Sequence, residues 1–289
     1  MIIGFCLGRA KPYSSERIST PLVNYGIPLS VMGLLLKSGI NIDLIISALI
    51  SFITIIFMMI VINGISPVKK YFPNYTLQLG GLIGNTSFLG IPIAIAILPT
   101  NTINFTIGFD LGTTFFAWLF GPFLLQRAND KSSLLNFKRI STSISNSPAT
   151  KGIIGVLIIY LLNLEEVLDN ILWVPAKFVI FLAIIVVGTR LGSITKNKNK
   201  LFDLEKGSKS SIFLKLFIFP AIIFFQCKLM SLSQIETTAL VLQGATPSAI
   251  STILMAEAYK VNQDIAAKIL FKTTIISILT IPLIATLFL

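Results

Sequence analysis

The chain has 289 residues, of which 54% are hydrophobic and only 12% charged, with a formal net charge of +11 and a mean hydropathy of +0.86. That balance lies outside the range of soluble domains and marks an all-α polytopic membrane protein. Histidine is absent, and the two cysteines (Cys6 and Cys227) lie far apart in apolar surroundings, so His-based catalysis and the usual zinc and haem sites are excluded and no cofactor, metal or catalytic residue is expected.

A helical crossing needs about 20 apolar residues. The stub 1–8 is too short to cross; it ends at Arg9 and Lys11 as the tail of a span does, and is counted as an incomplete span 1, with an amino-terminal truncation or a mis-called start as the expectation. Further spans are expected near 18–38, 43–64, 75–98, 104–126, 148–164, 170–191, 211–230, 235–258 and 264–288. With the segment after the stub placed in the cytoplasm and the rest alternating, the inside segments collect 20 of the 23 basic residues. Among them are Arg127 to Lys151, the run Arg190 to Lys215, and Lys260, Lys268 and Lys272. Only Lys37, Lys177 and Lys228 fall outside, beside an acidic loop of Glu165, Glu166 and Asp169. The positive-inside rule then gives ten spans in a plasma (inner) membrane with both termini outside, and the basic charge needs no nucleic acid to explain it.

Span 4 reads LQLGGLIGNTSFLGIPIAIAILP and breaks at Gly84-Asn85-Thr86-Ser87 and again at Gly90-Ile91-Pro92; span 9 breaks at Gly244-Ala245-Thr246-Pro247-Ser248. An offset of 160 residues aligns Gly84 with Gly244, Thr86 with Thr246, Thr113-Thr114 with Thr273-Thr274, and Pro122 with Pro282. Two tandem units of five spans must have opposite orientations, which is the inverted repeat of many secondary transporters. The expected organisation is residues 1–128 as the first repeat, 129–147 as a cytoplasmic linker and 148–289 as the second repeat. Both breaks fall about 15–18 Å from a membrane surface, near mid-bilayer. Backbone groups freed there persist only in protein or a wet cavity, and half-helix N-termini suit an anion such as a carboxylate.

The segments GNTSFLGIPIAIAIL and GATPSAISTILMAEAYKVNQDIAAKILFKTTIISILTIPL resemble the span-4 motif and the carboxy-terminal signature of the auxin efflux carrier family, which includes plant auxin exporters and bacterial permeases of malate and related acids. The resemblance implies a ten-span fold of two inverted five-helix repeats. Broken helices 4 and 9 cross near the substrate, an elevator-like motion carries the site across, and the carrier leans to a homodimer in the bilayer. By motif position the family's crossover Asn is Asn85, its span-4 proline Pro92 and its span-9 proline Pro247. The glycine usual after Asn-Thr is Ser87 here.

Asn85 reads either as a substrate ligand or as a polar tie to another helix. Thr86, Ser87, Thr246 and Ser248 are candidate substrate contacts, with bonding back to freed carbonyls as the alternative. Gly84, Gly90, Pro92, Gly244 and Pro247 shape the crossover. Asp110, embedded in span 5, is the coupling candidate, paired or hydrated at the interface in the plainer reading. Glu257 is expected to meet inside water or Lys260. The function expected is a secondary carrier of a small organic anion, with export favoured; a sodium- or proton-coupled importer of the bile-acid symporter type is the alternative. A remote third reading is an intramembrane enzyme using Ser248 with Lys268 or Lys272.

Overall fold

The computed structural model describes residues 2–11, 14–38, 41–99, 102–129, 145–146, 148–195 and 206–288, and these are helical apart from short turns and a single isolated bridge. The linker 129–147 lies almost wholly outside the described residues. The helices are α1 (Ile2–Ala10), α2 (Ser14–Pro21), α3 (Ile27–Ser38), α4 (Ile42–Gly64), α5 (Ser66–Lys69), α6 (Tyr75–Leu82), α7 (Ile91–Ile97) and α8 (Ile103–Asn129). They continue as α9 (Pro148–Leu161), α10 (Glu165–Thr195), α11 (Ser208–Phe213), α12 (Phe219–Leu229), α13 (Gln234–Gly244), α14 (Ile250–Tyr259) and α15 (Gln263–Phe288).

Among the described residues four helical runs are long and apolar enough to cross a membrane: Ile42–Gly64, Asn104–Arg127, Ser208–Leu229 and Gln263–Phe288. They coincide with four of the expected spans. The first shows why such a helix belongs in lipid. Ile42, Ile45, Leu49, Ile53, Phe57 and Ile60 form one exposed stripe on α4, while the opposite face buries Leu44, Ser47, Ser51, Thr54 and Met58. Large apolar side chains face outward and small polar ones inward, the reverse of a water-soluble helix. Against that inward face lie Gly108 and Gly112 of α8, where an added methyl would collide with Ser47, Leu44, Ala48 and Ser51.

Helix starts are written locally. Asn41 and Asn74 accept the backbone N–H groups of Leu44 (2.8 Å) and Leu77 (2.9 Å), and Ser233 with Glu236 closes a capping box on α13. Among the described residues three five-residue π-helical turns, Leu22–Gly26, Thr86–Gly90 and Leu214–Ile218, each end two residues before a proline: Pro28, Pro92 and Pro220. In each, the residue preceding the proline donates to the carbonyl five positions back. Proline lacks an N–H and its ring crowds the preceding turn, and a widened turn accommodates both.

The chain forms two compact units, each drawn from both halves of the sequence. The first comprises Met1–Gly39, Ala117–Asp203 and Ile253–Ala267. Within it α1 packs on α10 so closely that methyls on Gly4 and Gly8 would strike the carbonyls of Ile185 and Thr189, and Leu36, Val156 and Ile159 make a small core between α3 and α9. The second unit comprises Ile40–Phe116, Leu204–Thr252 and Lys268–Leu289 and contains both interruptions.

Candidate functional site at the crossing of two broken helices

Span 4 is broken between Leu82 and Thr86, and span 9 between Gly244 and Ile250. The breaks meet as a minimal antiparallel bridge centred on Gly84 and Ser248. The Asn85 N–H donates to the Pro247 carbonyl (2.7 Å) and the Ala249 N–H to the Ile83 carbonyl (2.9 Å). Each unmade backbone bond among these buried and half-buried residues costs several kcal/mol, so each interruption relieves the other. Two N–H groups that the sequence reading offered to a ligand are therefore spoken for.

The bridge requires near contact of main chains. A Cβ on Gly84 would collide with Thr246 Oγ1 and stand 3.0 Å from Lys215 Nζ, and one on Gly90 would run into the Gln243 carboxamide. Gly244 packs against Pro220 and Ile223. Pro92 falls in the first turn of α7, and Pro247 lends its carbonyl to the bridge. The offset of 160 carries the start of α8 onto the start of α15, but the paired residues Gly84 and Ser248 are 164 apart. The break in span 9 is the longer of the two.

Asp110 is 1% exposed, so it is paired rather than hydrated. Thr86 Oγ1 and Ser87 Oγ both donate to Asp110 Oδ1, the latter at 2.6 Å, and the Ser87 N–H also reaches the carboxyl. The carboxyl thus stands at the positive end of the half-helix that begins at Thr86, where an external anion was expected. Asn85 and Ser87 are half-buried, and the Asn85 carboxamide makes no hydrogen bond among the described residues.

At the other break every residue from Val241 to Ile250 is buried. Thr246 Oγ1 donates to the Gln243 carbonyl (2.7 Å), the back-bonding alternative. The Ser248 N–H is received by Thr273 Oγ1 (3.0 Å), while Ser248 Oγ has no partner among the described residues, so no Ser248–lysine dyad is formed. Glu257 is buried rather than in inside water, and accepts from Gln263 Nε2 at 3.1 Å.

Sequence reasoning passed over two residues here. Gln243 is 0% exposed, and both polar atoms of its side chain lack partners among the described residues. Its signal was a lone amide next to the Gly244 break. Lys215, counted among the inside-loop charges, is 0% exposed in the π-turn before Pro220 and donates to the Gly244 carbonyl at 2.8 Å. The apolar run LKLFIFP around it was the available signal. Beside the crossing, α7 and α15 form an apolar groove of about 450 Å³ lined by Leu89, Ile93, Ile97, Ile281 and Pro282.

Comparison with known proteins points to membrane transport. Residues 147–285 match the family described as membrane transport protein, bearing out the resemblance to the auxin efflux carriers. An uncharacterized transporter of Methanocaldococcus jannaschii is 25% identical over 214 residues, covering 71% of this chain and 67% of the relative. These similarities indicate a transporter rather than an enzyme.

Proposed function

We propose, taking the chain as a membrane transport protein of the auxin efflux carrier family, that it is a secondary carrier of a small organic anion, a carboxylate by preference. The observation that carries this reading is the bridged crossing of two interrupted helices, with unpartnered polar side chains gathered at it. Interrupted helices in corresponding spans are the best structural pointer to a transport site. Asn85, Gln243 and Ser248 supply the hydrogen bonds to the solute. Thr86 and Ser87 are held by Asp110, so they set the position of Asn85, with their hydroxyl oxygens left as acceptors. Thr246 and the crossover glycines and prolines shape the space.

Both interruptions fall within one compact unit, which supports an elevator-type motion in which the crossing travels as a body. The membrane potential is worth about 2.3 kcal/mol per charge per 100 mV. With the inside negative it drives a monoanion outward without a coupling ion, so export is the favoured direction from the plasma membrane. The termini lie outside, and the assembly is a homodimer.

A second reading is proton- or sodium-coupled import. The buried carboxyl of Asp110, ringed by two hydroxyls, is the feature that favours it. Proteoliposomes loaded with labelled malate, or with other labelled carboxylates in a panel, test both readings. Saturable efflux that rises with an inside-negative potential and disappears in Asn85→Ala is the expected result. Undiminished efflux in that variant removes Asn85 from the site. Flux that requires an imposed proton or sodium gradient and is lost in Asp110→Asn establishes the coupled reading instead.

A further inference from the structure

Lys215 has no part in the scheme above, yet it is a charge placed at the crossing itself. Its Nζ donates to the carbonyl of Gly244, the last residue of α13, and lies 4.4 Å from the centroid of the Phe219 ring. That carbonyl belongs to the negative end of a half-helix that stops inside the protein. An ammonium in hydrocarbon is costly unless partners satisfy it. The partners here are a carbonyl, a helix end and an aromatic face, with no carboxylate among the described residues. Thr246 Oγ1 and Nζ flank the same point beside Gly84. Carbonyls at the C-terminal ends of broken helices are the groups with which many secondary transporters hold a coupling sodium ion.

We propose that the Lys215 side chain is a tethered substitute for an alkali cation, its Nζ occupying the cation position at the end of α13, so that the crossing binds no free sodium or potassium there. The π-turn ahead of Pro220 supplies the reach: it places Lys215 on the crossing side of the helix run 208–229, where its Nζ meets the Gly244 carbonyl. The inference rests on the carrier reading in calling the crossing a transport site, but its test involves no transport.

Thermal unfolding of the purified protein in sodium, potassium and choline chloride at equal ionic strength provides that test. The wild type is expected to unfold at one midpoint in all three salts. Lys215→Ala is expected to unfold lower and to regain roughly 5–10 °C with saturating propylammonium chloride over choline chloride. Lys215→Met, which fills the volume and leaves the Gly244 carbonyl without its donor, is expected to unfold several degrees lower with no gain from propylammonium. Should the alanine variant fail to fold, the methionine variant and the wild-type salt series decide. A wild-type midpoint raised by sodium or potassium over choline by that amount would overturn the proposal. So would an unchanged or raised midpoint in Lys215→Met, or an alanine variant indifferent to propylammonium. Cation-indifferent unfolding together with absent carboxylate efflux would sink the carrier reading alone.

Discussion

At the interruption after α6 the freed helix end faces Asp110, and Asn85 and Ser87 stay half-buried. At the one after α13 every residue is buried and the charge at hand is Lys215. Both breaks expose helix-end dipoles, one positive and one negative, and each meets a side chain of opposite sign supplied by another helix. The bridge of two backbone bonds then leaves the crossing with little main chain to offer a solute. The difference teaches that recognition in this protein falls to side chains, and that the half-open break offers Asn85 where the closed one holds Gln243 and Ser248.

Substitutions can break this contrast, and they rank by what each leaves unsatisfied. The largest effect is expected at the shared point of contact. Gly84→Val places branched carbons where Thr246 Oγ1 and Lys215 Nζ already stand, and should destabilise by about 3 kcal/mol in thermal or denaturant unfolding. Gly64→Ala, with open space around the new methyl, is the control and should change stability by less than about 0.5 kcal/mol. A comparable loss at both glycines would mean that the crossing is not tightly packed.

Asp110→Ala removes the acceptor of two hydroxyls and should cost about 2–3 kcal/mol, with Asp110→Asn recovering part of it. Thr273→Val leaves the buried Ser248 N–H without its acceptor and should cost about 1–2 kcal/mol, measured in the same way. At the small end, Asn85→Ala and Ser248→Ala delete side-chain groups with no partner among the described residues. Both should unfold within about 0.5 kcal/mol of wild type, while Asn85→Ala loses carboxylate efflux. A clear stability loss in Asn85→Ala would make that residue a structural tie and the half-open break a packed one.

The interruptions themselves were legible in the chain. Glycine, proline and short polar residues in mid-span cannot continue a helix through hydrocarbon, and both helices stop where those residues stand. Asp110 was legible as an acid inside a span, though its burial and its two hydroxyl partners were not, because Thr86 and Ser87 lie more than 20 residues away in sequence. Lys215 was misplaced for a related reason. The positive-inside rule counts charges by their distance from span ends, and a lysine near such an end reads the same whether it points to water or into the protein. Gln243 gave no more than a single amide in an apolar helix.

Composition, hydropathy and the placement of Gly, Pro and Asn thus determined the all-helical membrane class, the positions of the long spans and the two sites of rupture, because these follow from local propensity and transfer energy along one stretch of chain. Only the tertiary structure decided which freed groups pair with each other, which are claimed by Asp110 and Lys215, and which polar atoms remain for a solute. The pairing joins segments more than a hundred residues apart, Ile83 beside Ala249 and Asn85 beside Pro247, while Asp110 and Lys215 reach partners 23–29 residues away on other helices, and no periodicity in a single helix records either.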